Sequence, residues 1–255
     1  MHESKLHKEN CFLTLTYDKE TLPEFGSLVP DHLQLFHKRL HNRLLDSRGR
    51  GIRYYGVGEY GDINRRPHYH SIVFGVDFPD KVIYARAKRG EPLYESKLLN
   101  EIWGKGVALI GEVNFETAAY VARYCLKKIG GSFRNDVCEC RECKGKNKPH
   151  YEVYSADGVV YERTPEFAHM SRRPGIGSGY FDKYGAEIRH HDSLIVNGHE
   201  VPSIRYYDLK IPEDELELIK KRRRAKSVWL ERQVDRRQVK ERLTLITARE
   251  KGRPL

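Results

Sequence analysis

Arg66-Pro67-His68-Tyr69-His70-Ser71-Ile72-Val73-Phe74-Gly75 decides the reading of this chain. The apolar, β-branched run after the histidines marks a strand. Side chains on a strand alternate faces, so His68 and His70 point the same way and Tyr69 points toward a core. Two imidazoles side by side, with room for a third ligand, suit a divalent metal. The plain alternative is two partly exposed strand histidines.

Working outward, Tyr54-Tyr55-Gly56-Val57-Gly58-Glu59-Tyr60-Gly61 reads as a second strand entering a turn at residues 61–67. The turn returns the chain antiparallel, so Glu59 can face the histidine pair across the ladder. Glu59, His68 and His70 leave coordination positions open, as a Lewis-acid site for a phosphate oxygen requires. Downstream, Glu116 to Gly131 reads as a helix, Ala-rich, with basic residues near its end and Gly130-Gly131 as a stop. Tyr120 and Tyr124 share one face of it, and Lys127 and Lys128 follow on. Two tyrosines at this spacing commonly serve packing. They are also nucleophiles when activated, and neighbouring ammonium groups favour the phenolate and stabilise charge on a phosphate under attack.

These pieces resemble a known class. Thr14-Leu15-Thr16 on a first strand, His68-Tyr69-His70, and Tyr120-x3-Tyr124-x2-Lys127 occur in the order of the three motifs of HUH endonucleases, which initiate rolling-circle replication. Gly58-Glu59-Tyr60-Gly61-Asp62, the tyrosine pair and Met170-Ser171-Arg172-Arg173-Pro174-Gly175-Ile176-Gly177 look most like the initiators of microviruses, in particular the gokushovirus branch. The resemblance covers about residues 10–185. It implies an RRM-like α+β sandwich, an antiparallel sheet flanked by helices. It also implies Glu59, His68 and His70 as ligands of Mg²⁺ or Mn²⁺, and Tyr120 and Tyr124 as nucleophiles assisted by Lys127 and Lys128. The implied activity is nicking of single-stranded origin DNA, a 5′-phosphotyrosine intermediate and religation, in the host bacterial cytoplasm. The partners would be single-stranded or supercoiled circular origin DNA, with host helicase and polymerase. A plasmid relaxase or transposase of the same class is one rival reading. The other is a non-catalytic nucleic-acid-binding sheet whose tyrosines stack on bases.

Composition agrees with a polyanionic partner: 255 residues carry a formal net charge of +10. Nothing approaches eighteen apolar residues in a row, so no membrane span is expected, and the first ten residues do not read as a signal peptide. No Gly-x4-Gly-Lys-[Ser/Thr] loop is present. Five cysteines suit reduced thiols better than a disulfide framework. Cys138, Cys140 and Cys143 are a candidate second metal site, although their spacing fits paired zinc motifs poorly.

The remaining chain supports a domain at 1–185 and an extension at 186–255. Strands are expected at Cys11–Tyr17 and Val107–Phe115, and helices at Asp31–Ser47 and Tyr94–Trp103. His37 and His41, four apart on the first helix, read as surface residues. Gly104-Lys105-Gly106 reads as a turn. Arg172 and Arg173 sit in a Gly-rich loop suited to phosphates. Leu194 to Val201 reads as a hairpin turning at Asn197-Gly198. From Pro212 the chain is helical, and residues 220–242 hold 11 Lys/Arg against 3 Asp/Glu. Lys220, Lys221, Arg222, Arg223 and Arg224 are candidate contacts to a DNA backbone.

Overall fold

The computed structural model describes residues 1–45, 51–61, 64–87, 90–124, 149–155, 157–196, 198–231 and 243. Its chain divides into two compact units, Met1–Asp182 and Lys183–Leu255.

The first unit is built on a seven-stranded sheet in which every neighbouring pair is antiparallel. Its strands are β1 (Asn10–Thr16), β2 (Arg53–Tyr60), β3 (Pro67–Phe74), β4 (Val82–Arg86), β5 (Pro92–Glu95), β6 (Ala108–Gly111) and, after the small hairpin β7 (Glu152–Tyr154) and β8 (Val160–Glu162), β9 (Phe167–Met170). Their spatial order is β4-β5-β6-β1-β3-β2-β9, which puts the histidine strand β3 between β1 and β2. The α+β class expected from the sequence is the class observed.

Helices cover both faces. On α1 (Pro30–Leu45), Leu33, Phe36 and Leu40 recur at helical spacing and are fully buried. Each contributes about 1.5–3 kcal/mol of hydrophobic stabilisation. They pack with Leu13 and Leu15 of β1, Tyr69 and Val73 of β3, and Trp103 of α2 (Lys97–Trp103). The opposite face is covered by α3 (Phe115–Tyr124), where Val121 packs with Val57, Ile72 and Phe74. Asn114 and Thr117 close the start of α3 reciprocally: the Asn114 side chain accepts from the Thr117 N–H at 2.8 Å, and the Thr117 hydroxyl accepts from the Asn114 N–H at 3.0 Å.

Three expectations need correction. Tyr94 and Glu95 are strand residues, because Ser96 stops the helix from extending back: its hydroxyl accepts the Leu99 N–H at 3.0 Å as an N-cap. The edge strands β4 and β9 are additional. The first is almost wholly exposed and the second is four residues long, so neither carries the alternation that marks a strand. His37 is not a surface residue. It is 4% exposed, stacks on Tyr54 at 3.6 Å between centroids, and lies 2.8 Å from the Ser71 hydroxyl. Gly104 and Gly106 do form a turn. Gly104 ends α2 in the left-handed region at φ 63°, and a Cβ on Gly106 would stand 2.5 Å from the Thr16 carbonyl oxygen.

The boundary between the units falls within α4 (Ser178–His191). The second unit continues as the hairpin β10 (Ser193–Val196) and β11 (His199–Pro202), then α5 (Arg205–Asp208) and α6 (Glu213–Glu231). Among the described residues no helix is long and apolar enough to cross a membrane.

Candidate active site

The β2–β3 register pairs Glu59 with His68, and the β1–β3 register pairs Thr14 with His70 and Thr16 with His68. Alternation along each strand then puts Glu59, His68 and His70 on one face, with Tyr69 behind them. The Tyr69 hydroxyl lies 3.0 Å from both the N–H and the carbonyl of Val29 and 2.6 Å from the Tyr17 hydroxyl. The residue between the two histidines is therefore anchored from the opposite side of the sheet.

Both imidazoles aim at one carboxylate oxygen. His68 Nε2 is 2.6 Å and His70 Nε2 3.0 Å from Glu59 Oε1, and the three potential ligand atoms lie within 4.8 Å of one another. His68 Nδ1 is 3.1 Å from the Arg66 carbonyl, which can only accept. That nitrogen carries a proton, so a neutral His68 turns the lone pair of Nε2 toward the carboxylate. Two lone pairs at this separation repel unless a proton or a cation joins them. His70 Nδ1 is 3.1 Å from the Thr14 hydroxyl, which serves either tautomer. The His70 ring is further held by Phe12, stacked at 5.3 Å, and by Tyr120, edge-on at 5.3 Å.

The electrostatics point the same way. Burial dominates at His70 and lowers its pKa, against the smaller opposing effect of Glu59. At Glu59, burial alone would raise the pKa, but the hydrogen bonds from His68 and His70 together outweigh it and hold the carboxyl below its ordinary value. The second oxygen, Oε2, is buried without a hydrogen-bond partner among the described residues. Convergent Nε2 atoms, an ionised carboxylate with one oxygen unsatisfied, and outer partners on both rings fit a divalent cation.

The other candidate residues are distributed as follows. Tyr120 lies on α3 against His70 and Phe12, and Tyr124 is one turn further along that helix. Lys127, Lys128, Cys138, Cys140 and Cys143 lie outside the described residues. Arg172 and Arg173 are exposed in the loop between β9 and α4. Lys220, Lys221, Arg222 and Arg224 lie on α6 with Arg223, but Arg223 is committed within its own unit. Its guanidinium donates to Asp208 at 2.7 and 2.8 Å and to Asp192 at 2.5 and 2.8 Å. Sequence reasoning passed over Phe12 and the Arg66 carbonyl. Phe12 was findable, since it stands two residues before Thr14 on the same strand face.

An antiparallel sheet that carries a Glu–His–His cluster on central strands, with helices on both faces, is consistent with an HUH endonuclease-type fold. More particularly, the chain belongs to the family of replication-associated proteins typified by ORF2, whose model matches residues 10–129. It is 31% identical to replication-associated protein ORF2 of Spiroplasma virus 4, over 89% of this chain and 68% of that protein. It is 30% identical to replication-associated protein VP4 of Bdellovibrio phage phiMH2K, over 81% of this chain and 59% of that protein. The same identity, 30%, holds with replication-associated protein ORF4 of Chlamydia phage 1, over 80% of this chain and 46% of that protein. The chain thus spans roughly half to two-thirds of the length of these relatives. The resemblance to microvirus replication proteins drawn from the motifs is the relationship these comparisons show. No solved structure matches the chain significantly.

Proposed function

We propose that this chain is the replication initiator of a circular single-stranded DNA phage, a metal-dependent tyrosine endonuclease that nicks and rejoins origin DNA. The observation that carries this reading is the convergence of Glu59, His68 and His70 on the sheet face against which Tyr120 packs, in a chain of the replication-associated family. The chemistry belongs to residues 1–185, and the extension at 186–255 binds the DNA backbone.

Glu59, His68 and His70 would hold Mg²⁺ or Mn²⁺, which when bound supplies a Lewis acid for a non-bridging oxygen of the scissile phosphate. Tyr120 or Tyr124 attacks phosphorus through its phenolic oxygen. The bond from phosphorus to the 3′ oxygen breaks, the 3′ oxygen leaves as a hydroxyl after taking up a proton, and the 5′ phosphate remains on tyrosine. Lys127 and Lys128 lower the cost of the phenolate. The phosphotyrosine retains a phosphodiester, so attack by a 3′ hydroxyl reverses the step and seals a strand. Two tyrosines on one helix face allow a second cleavage while the first strand is still held. The free 3′ end would prime host polymerase, with a host helicase unwinding ahead, in the host cytoplasm.

Incubation with origin oligonucleotide and Mn²⁺, followed by a denaturing gel, tests the reading. The expected result is a covalent protein–DNA adduct that chelator prevents. Tight binding without an adduct would instead identify a non-catalytic single-strand-binding domain.

A further inference from the structure

The loop that carries Arg172 and Arg173 is tied down by a buried carboxylate far away in sequence. Glu3 is 3% exposed. Its Oε2 accepts the Gly177 N–H at 2.6 Å, and its Oε1 lies 2.7 Å from Arg53 Nε and 3.1 Å from His7 Nε2. Arg53 reaches the same loop from the other side, donating through Nη2 to the Pro174 carbonyl at 2.7 Å. At the start of the loop, the Ser171 N–H donates to the Tyr54 carbonyl at 3.0 Å, and the Ser171 hydroxyl accepts the Tyr54 N–H at 3.1 Å. Arg172 and Gly175 form a bridge across the turn. The backbone is therefore held at residues 171, 174 and 177, while the two guanidinium groups between them stay exposed. Ile176 joins the apolar cluster that contains Tyr120 and Phe12, so the loop is also packed on the nucleophile side of the sheet.

We propose that Glu3 is a positioning residue for DNA binding: with Arg53 it latches the loop 171–177 so that Arg172 and Arg173 present a pre-ordered phosphate clamp. This rests on the reading that the loop contacts DNA. The physical reason is entropic. Guanidinium groups on a mobile loop lose part of their binding energy to ordering the backbone, and a loop held at three points has already met that cost. Burial would favour a protonated Glu3, but the Gly177 N–H, His7 and Arg53 keep its pKa lowered, so the latch is anionic at neutral pH.

The test is a mutant cycle on the full chain, with a fluorescein-labelled single-stranded oligonucleotide of mixed sequence titrated at several salt concentrations. Arg172→Ala/Arg173→Ala should flatten the salt slope by about 1.4, at roughly 0.7 per lost contact. Glu3→Gln, which keeps the shape and one acceptor, and Glu3→Ala should move the slope toward that of the arginine variant. Glu3→Ala added to the arginine variant should change nothing more, which a general loss of stability would not reproduce. Hydrogen exchange at the Gly177 amide separates the two layers. Faster exchange in Glu3→Gln supports the latch even if the arginine variant binds normally, in which case it is the DNA contact that fails. Unchanged exchange, or a wild-type salt slope in Glu3→Ala when the arginine variant has lost its own, overturns the proposal.

Discussion

His68 Nε2 stands 2.6 Å from Glu59 Oε1, and its other nitrogen is 3.1 Å from the Arg66 carbonyl. The ring is thus committed to presenting Nε2 toward the carboxylate, and a cation between them turns a repulsive contact into an attractive one. Mn²⁺ at about 100-fold its dissociation constant should raise the unfolding free energy by about 2.7 kcal/mol. Glu59→Gln should abolish most of that gain, and His68→Ala/His70→Ala all of it, together with adduct formation. DNA affinity should largely survive, because backbone charge contacts dominate it. Thermal scans with and without Mn²⁺ read the first effect and a denaturing gel the second. Full cleavage by the double variant in chelator would falsify the metal assignment.

The paired tyrosines are separable by phenylalanine, which keeps the ring and removes the nucleophile. Tyr120→Phe should keep the edge contact to His70 and fold normally. It and Tyr124→Phe should each cleave an origin oligonucleotide once, fail to release closed circles, and form no adduct in combination. If Tyr120→Phe makes circles as well as wild type, a single nucleophile suffices and Tyr120 only packs.

The basic residues of α6 divide into two kinds. Lys220→Ala/Lys221→Ala should flatten the salt dependence of DNA binding, by about 0.7 per contact, at an unchanged melting temperature. Arg223→Ala should do the reverse. It leaves Asp192 and Asp208 without their shared cation, so the melting temperature should fall with little change in salt slope. A normal melting temperature for Arg223→Ala would show that the bridge adds nothing to stability.

His37 makes the fold sensitive to acid. Burial lowers its pKa to about 3, and its Nδ1 has no hydrogen-bond partner among the described residues. The unfolded side chain takes up a proton near 6.5. Below that pH the unfolded state binds more protons, so stability falls as pH drops from 6.5 toward 3. The loss is about 2 kcal/mol by pH 5, at about 1.4 kcal/mol per unit. Urea midpoints at pH 7 and pH 5 should converge in His37→Gln. An equal acid loss in the variant would assign the sensitivity to other groups.

Much of the central sheet was legible in the sequence, because its strands alternate strongly and its turns carry their own residues. His68-Tyr69-His70 fixed which side chains share a face, since alternation is a property of any extended backbone. The i, i+4 spacing did the same for Tyr120 and Tyr124 on their helix. The start of α2 and the strands β4 and β9 were not legible. A single capping serine decided the first, and short or exposed edge strands show no apolar period. What only the tertiary structure decided is pairing at a distance. The registers Glu59 to His68 and Thr14 to His70 turned two histidines into a site. The sheet behind α1 buried His37 and set its ring against the Ser71 hydroxyl. Glu3 met Gly177 across 174 positions, and Arg223 met Asp192 across 31. Local sequence sets the direction a side chain points. Which charge it meets depends on long-range packing, where a buried ionised group persists only if the fold delivers a counter-charge or a hydrogen-bond donor.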